Sequence, residues 1–137
     1  MNKINKKNYL SINAEMLGRA YKVAKTDEPF IGAGGILIWS SGHGLNIMGT
    51  DRHSLIFFHD ENGYFGDDFN HESIYFASSK FKDNKKFMRS LIKLDNQKFK
   101  IKIYENLLDG SEHFVLIKGN IKRNITPRVR VISSNVV

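Results

Sequence analysis

Apolar residues recur at helical spacing in two stretches of the chain, and most other stretches alternate apolar and polar residues as strands do. From Leu17 to Ala24 the apolar residues fall at i, i+3, i+4 and i+7, which predicts a helix over about residues 14–26. Asn13 is a residue type favoured at the N-cap, and Glu15 in the first turn complements the helix dipole. This helix is expected to bury one side.

The second helical pattern runs from about Asp83, again a capping residue type, to Leu94. Its apolar residues share one side and its lysine and arginine residues share the other. The apolar set is Phe87, Met88, Leu91 and Ile92. Both helices are therefore expected to present a basic side to solvent.

Strands are predicted wherever the alternation has a period of two. In one such stretch Phe99, Ile101 and Ile103 share a face, and lysines occupy the opposite face. Residues 60–71 are polar and contain glycine, so they are predicted to form a loop. The predicted strands are residues 9–12, 30–39, 45–50, 54–59, 73–77, 98–105, 113–118 and 129–133.

The order of these elements is β-α-β-β-β, occurring twice. Such an order predicts an α+β fold in which two helices lie on one face of antiparallel sheets. The two units would be related by a pseudo-twofold axis that exchanges residues 9–60 with residues 73–134. We expect one domain over residues 9–134, preceded by a basic arm at residues 1–8.

Composition narrows the functional classes. The chain of 137 residues is 41% hydrophobic and contains no cysteine, which excludes a disulfide scaffold, a thiolate metal site and a cysteine nucleophile. No apolar run approaches the ~20 residues that span a bilayer, and the N-terminus lacks the apolar core of a signal peptide. We therefore expect a cytoplasmic protein with no membrane partner. The net charge of +7 favours polyanionic partners, nucleic acid first.

A polar corner at residues 50–54 separates two apolar strands. Within five positions it contains a hydroxyl, a carboxylate, a guanidinium and an imidazole. One interpretation is structural: Asp51 caps a turn, while Thr50 and His53 satisfy backbone groups.

The stretches 35–39 and 45–55 also carry a resemblance, to the middle domain of the bacterial sliding clamp, the β subunit of DNA polymerase III. In that family two strands lead into Thr-Asp-Gly-His-Arg-Leu. Arg52 stands where the family has glycine, and Ser54 where it has arginine. The Arg-Val-rich stretch 127–132 is similar to the end of that domain. The residues that match the motif are Thr50, Asp51, His53 and Leu55.

The resemblance implies a clamp-like fold, no catalysis, and helices that face double-stranded DNA. Lysine and arginine on exposed helix turns suit attraction to phosphates without sequence preference. An ordinary solvated face is the alternative. The candidate DNA contacts are Arg19, Lys22, Lys25, Lys82, Lys85, Lys86, Arg89 and Lys93.

The resemblance also implies a pocket that grips peptides of a polymerase or another replication or repair protein. Thr50, His53 and Leu55 would line it, with Arg130 and Val131 opposite. We expect a homo-oligomer, for example a closed head-to-tail ring of about six copies. The alternative is a protein-interaction module that keeps the clamp fold and binds a replication or repair partner, or modulates a host clamp, without DNA.

Enzymatic interpretations have less support in the sequence. Asp51 and His53 could form half of a catalytic dyad, and His43, His59 and His71 could ligate a metal. However, the chain contains no HExxH, Gly-x-Ser-x-Gly or Walker pattern. The glycine-rich stretch 32–35 is followed by predicted strand residues 36–39, whereas a dinucleotide site needs a helix there. We expect a protein without catalytic residues, metal or cofactor.

Overall fold

The computed structural model describes residues 7–25, 34–69, 72–78, 81, 84–94, 99–105, 112–118 and 131–132. Two helices lie in these ranges: α1, Ala14–Ala24, and α2, Lys85–Ser90, which continues as a 3₁₀ turn at Leu91–Lys93. The strands are β1 Tyr9–Asn13, β2 Gly35–Ser40, β3 Leu45–Thr50, β4 Leu55–Asp60, β5 Tyr64–Phe65, β6 Ser73–Ala77, β7 Phe99–Glu105, β8 Glu112–Lys118 and β9 Val131–Ile132.

The strands form two antiparallel sheets. The first sheet has the order β5-β1-β7-β8-β9, and the second has the order β4-β3-β2-β6. β1 precedes α1 and pairs with β7, which follows α2. β6 precedes α2 and pairs with β2, which follows α1. The predicted α+β class, with two helices and antiparallel sheets, is confirmed for the described residues.

The start of α1 is tied to both sheets. Asn13 is its N-cap, as predicted, and the Asn13 side chain accepts a hydrogen bond of 2.9 Å from the Met16 N–H. The Asn13 N–H donates to the carboxylate of Asp60 at 2.7 Å. Because Asp60 is buried and ends β4, this bond holds a negative charge at the helix N-terminus, where the dipole favours it.

Two glycines let neighbouring elements approach α1 closely. A Cβ at Gly49 of β3 would collide with the Ala20 carbonyl group of α1, lying 2.9 Å from its carbon. A Cβ at Gly18 of α1 would lie 2.8 Å from the Leu91 Cβ. Backbone therefore packs against backbone at the first contact, and α1 lies directly beside the 3₁₀ turn at the second.

The core lies between the helices and the inward faces of both sheets. α1 contacts β1 and β7 of the first sheet and β2, β3 and β4 of the second. The inward residues of the strands follow the predicted alternation, for example Leu45 and Ile47 of β3. The largest fully buried side chains are Phe76, Phe81, Leu10, Ile12, Leu17, Ile36, Ile38, Leu45, Ile47, Met88 and Leu91.

The prediction of a loop over residues 60–71 is wrong in two places. Asp60 belongs to β4, and Tyr64–Phe65 form β5, which pairs with β1. Phe65 stacks on Phe69 with ring centroids 4.5 Å apart, while Tyr64 is exposed. Two aromatic residues flanked by Gly63 and Gly66 are too few to produce a strand pattern, so β5 forms only through its pairing with β1.

The second helix also differs from its prediction. Its α-helical part is shorter, and Asn84 stands at the N-cap without a side-chain hydrogen bond to the helix. The expected cap, Asp83, lies outside the described residues, as do the predicted strand residues 30–33, 98, 129–130 and 133. Within the described ranges, neither helix has the length and hydropathy that crossing a membrane requires.

Candidate functional site

The cations predicted on α1 are exposed, but one of them is already paired. Arg19 Nε lies 2.8 Å from Glu15 Oε2, one helical turn earlier. An exposed pair of this kind contributes little to stability, yet it offsets part of the arginine charge. Lys22 in the last turn and Lys25 just beyond it are exposed.

The basic face of α2 and its 3₁₀ turn consists of Lys85, Lys86, Arg89 and Lys93. All four residues are exposed, and the opposite side of the segment buries Met88 and Leu91. Residues 84–94 include no aspartate or glutamate. No ion pair joins a described carboxylate to any of these four residues, so the basic face has no described counter-charge. Lys82, the remaining candidate, lies outside the described residues.

The contact at Gly18 makes the two basic surfaces neighbours. Gly18 approaches both Leu91 and Ile92, with 3.0 Å between its added Cβ and the Ile92 nitrogen. The exposed sides of α1 and α2 therefore lie next to each other. Apart from Arg19, which pairs with Glu15, the described cations of both surfaces have no described carboxylate partner and would attract a phosphate backbone.

The polar corner is closed by its own hydrogen bonds. Asp51 Oδ1 accepts from the N–H groups of Ser54, at 2.6 Å, and His53, at 2.9 Å. These two bonds, the Ser54 bond first, hold the pKa of the Asp51 carboxyl below its usual value because they favour the ionised form.

Thr50 completes the corner. Its hydroxyl donates to the Ser54 carbonyl oxygen at 2.8 Å and accepts from the Arg52 N–H at 3.0 Å. Arg52 has φ of 79°, the left-handed region in which glycine is free of strain. A glycine would adopt this conformation without strain, and the Arg52 side chain is exposed.

The described residues of the proposed peptide pocket belong to two different sheets. Thr50, His53 and Leu55 lie in one hairpin of the second sheet, where Leu55 is 62% exposed. Val131 lies in β9 of the first sheet, in register with His113 of β8. Arg130 lies outside the described residues. The imidazole of His53 is exposed, and the residue joins the turn through its backbone N–H.

Two of the three histidines considered as metal ligands lie in the described residues, one in β4 and one in the turn before β3. His59 Nδ1 lies 2.8 Å from Asn46 Oδ1, its cross-strand neighbour, and His43 is exposed in the turn before β3. His71 is outside the described residues. The described part of the chain holds no group of three or more His, Cys, Asp or Glu residues that could bind a metal ion.

A group of tyrosines was missed by the sequence analysis. Tyr9, Tyr64 and Tyr104 lie on the outward side of β1, β5 and β7, and the Tyr9 ring centroid is 5.9 Å from that of Tyr64 and 5.4 Å from that of Tyr104. Lys102 Nζ lies 4.4 Å from the Tyr9 centroid. The alternation in β7 places Lys102 and Tyr104 on one face, but Tyr64 lies in the stretch that was predicted to be a loop.

The tyrosine hydroxyls share the same environment. Tyr9 donates to the Tyr64 hydroxyl oxygen at 3.4 Å. Burial first, and then this hydrogen bond, raises the pKa of the Tyr9 hydroxyl, and burial also raises the pKa of Tyr104. Both hydroxyls therefore remain neutral donors near pH 7.

No protein-family model, curated protein or solved structure matches this chain.

Proposed function

We propose that this protein is a non-catalytic, sliding-clamp-like factor that binds double-stranded DNA without sequence preference and acts as a processivity or accessory factor in replication or recombination. The observation that carries the proposal is the basic face of α2, which has no described counter-charge and adjoins the exposed side of α1. The net charge of +7 agrees with a polyanionic partner.

The strand order supports the clamp-like part of the proposal. β1 extends the sheet of β7, β8 and β9, and β6 extends the sheet of β4, β3 and β2. Each first strand thus joins the sheet built by the other half of the chain. This exchange is expected if residues 9–60 and 73–134 are two β-α-β-β-β units related by a pseudo-twofold axis, and it agrees with the resemblance of residues 50–55 to the clamp motif.

The proposed DNA contact is electrostatic. Exposed ammonium and guanidinium groups release counterions from DNA, so the logarithm of the affinity should fall linearly with the logarithm of the salt concentration. Lys86 and Arg89 are suited to test this because both are exposed and lie opposite the buried Met88. Replacing them leaves the buried contacts of α2 in place.

The experiment measures binding of the full chain to a fluorescent duplex of about 20 base pairs between about 50 and 300 mM salt. In the double variant Lys86→Glu/Arg89→Glu, we expect affinity at the lowest salt to fall at least about tenfold and the salt slope to decrease by about 2, because about two phosphate contacts are lost. Arg52→Glu reverses an exposed charge in the polar corner and serves as the control. Equal affinity of the double variant and the wild type at low salt would refute DNA binding by the basic face.

The proposal that several copies of the chain form a ring around DNA is separate from DNA binding itself. β4 and β6 are the edges of the second sheet, and exposed edges promote association unless they are paired or covered. Head-to-tail pairing of edges would give a closed ring of about six copies. Light scattering should then detect one closed species. A monomer at high concentration would exclude the ring and leave an accessory factor that binds DNA without enclosing it.

A protein-interaction module is the second candidate, favoured by exposed apolar side chains on the outward side of the second sheet. Leu55 is 62% exposed, Phe57 52% and Tyr75 47%. If the helix variants leave duplex binding unchanged, this surface becomes the better candidate site. Leu55→Asp and His53→Ala should then reduce capture of a short apolar partner peptide, whereas the helix variants should not.

A further inference from the structure

The outward side of the first sheet combines aromatic rings with lysines. We call this surface the tyrosine face and define it by Tyr9, Tyr64, Lys100, Lys102 and Tyr104. Strand register holds these residues together: Tyr9 is opposite Tyr104, and Ser11 lies between Tyr64 on β5 and Lys102 on β7. The inward side of the same strands is filled by the core, so the rings lie away from the helices.

Tyr64 is the most accessible ring of this face. It is 44% exposed, whereas Tyr9 and Tyr104 are half-buried and Ser11, its partner in β1, is buried. Tyr9 meets Tyr64 edge to face, with an interplanar angle of 76°. Tyr9 therefore supports Tyr64 from the side.

The lysines of the face are fixed in place without described acidic partners. Lys102 is only 9% exposed, and its ammonium lies over the Tyr9 ring. Lys100 Nζ donates to the Asn62 carbonyl oxygen at 2.8 Å. Within the described residues, no ion pair joins either lysine to a carboxylate. A buried cation without such a partner favours an anionic ligand nearby.

We propose that the tyrosine face binds single-stranded DNA, with a base stacked on Tyr64 and the adjacent phosphates near Lys100 and Lys102. A sheet surface with aromatic rings and nearby cations suits unpaired nucleotides, because stacking accepts every base and the cations follow the backbone. A duplex cannot use the rings, since its bases are already stacked. Asp67 acts on Tyr9 electrostatically, so the phosphates are assigned to the β7 side of the face.

The chemistry of the face favours DNA over RNA. RNA recognition commonly uses the ribose 2′-hydroxyl, which needs a polar group in reach. The small polar side chains of β1, Ser11 and Asn13, are buried, and the described side chains of β5, β1 and β7 include no exposed Ser, Thr, Asn or Gln. The polar groups that remain on the face are the tyrosine hydroxyls and the two ammonium groups, and the Tyr9 hydroxyl already bonds to that of Tyr64. No small amide or hydroxyl side chain of these strands is therefore available to a 2′-hydroxyl.

The test measures fluorescence anisotropy of labelled oligothymidylate of about 20 nucleotides with the full chain at about 50 mM salt. In Tyr64→Ala we expect affinity to fall about tenfold, and in Tyr64→Phe to stay within about threefold, because the ring is kept. Phe57→Ala is the matched control: Phe57 is an aromatic residue of comparable exposure on the outward side of the other sheet, and we expect no change. Absence of binding by the wild type, equal loss in Phe57→Ala, or unchanged binding in Tyr64→Ala would overturn the proposal, as would tighter binding of oligouridylate.

A second measurement needs no variant that could fail to fold. Aromatic proton resonances of the wild-type protein, titrated with a thymidylate of about ten nucleotides, should shift at Tyr64, because a stacked base adds its ring current. Shifts confined to Phe57 and Tyr75 would place the oligonucleotide on the other sheet and refute the proposal.

The two DNA proposals fail independently. In the Lys86→Glu/Arg89→Glu background, the change of Tyr64 to alanine should still weaken oligothymidylate binding by about the same factor, since the tyrosine face lies on the other side of the fold from α2. Loss of the Tyr64 effect in that background would show that oligothymidylate had bound to the helices.

Discussion

The polar corner and the basic face of α2 are both dense in charged side chains, but they differ in how those side chains are satisfied. In the corner, Asp51 and Thr50 bond to backbone groups of the same turn. On the basic face, the described structure provides no carboxylate for Lys86 or Arg89, and the Arg89 guanidinium reaches only the Lys85 carbonyl oxygen at 3.4 Å. The corner uses its polar groups to hold a turn, whereas the basic face leaves its charges available to a ligand.

This difference separates stability from binding. Substitutions in the corner should change the free energy of unfolding, because the bonds they remove are internal. Substitutions on the basic face should change affinity for DNA and leave the free energy of unfolding almost unchanged. Each region packs against α1 at a glycine. Gly49, next to the corner, contacts Ala20 of α1, and Gly18 of α1 contacts Leu91 of the 3₁₀ turn. Substitutions at these two glycines therefore compare the packing of the two regions.

The largest expected effect is at Gly49. Gly49→Ala should lower the free energy of unfolding by about 3 kcal/mol, because the new Cβ meets the rigid backbone carbonyl group of Ala20. Gly18→Ala should have a smaller effect, since its Cβ would overlap less severely, at 2.8 Å from the Leu91 Cβ and 3.0 Å from the Ile92 nitrogen, and alanine gains about 1 kcal/mol of helix propensity. Urea denaturation followed by circular dichroism measures both. Equal losses at the two positions would show that the corner is not held more rigidly than the 3₁₀ turn.

An intermediate effect is expected when the corner loses its hydroxyl. Thr50→Val keeps the size of the side chain but removes the hydrogen bonds with Ser54 and Arg52, which should lower the free energy of unfolding by about 1 kcal/mol. Lys86→Gln is the counterpart on the basic face and should change it by less than about 0.5 kcal/mol. Thermal melts of both variants provide the measurement. A destabilised Lys86→Gln variant would contradict the view that this face is free for a ligand.

The smallest effect is expected at Arg52, the corner residue with a left-handed backbone. Arg52 has a positive φ, so Arg52→Gly relieves backbone strain of about 1 kcal/mol or slightly more. Glycine also loses more conformational entropy on folding, which costs about 0.5–1 kcal/mol. The net change should be a gain between zero and about 0.5 kcal/mol. Chemical denaturation of Arg52→Gly and Arg52→Ala side by side tests this. A clear loss in the glycine variant would show that the Arg52 side chain itself contributes to stability.

The candidate sites were predicted from sequence to different extents. The exposure of Lys85, Lys86 and Arg89 follows from helical spacing alone, because a helix that buries Met88 must turn these residues outward. The adjacency of this face to α1 does not follow from spacing, since it depends on the contact of Gly18 with Leu91. For the polar corner, residue types indicated that Asp51 caps the turn, but the left-handed backbone of Arg52 was not expected of an arginine.

By itself the sequence determined the features that depend on near neighbours along the chain. These include α1 with its Asn13 cap, the alternation of β3, and the closed turn at Asp51, because each follows from residues a few positions apart. The tertiary structure alone decided the pairing of β1 with β7, the formation of β5, and the meeting of Tyr9, Tyr64 and Tyr104. Those contacts join residues far apart in the chain, and their free energy exists only once both sheets have closed over a common core.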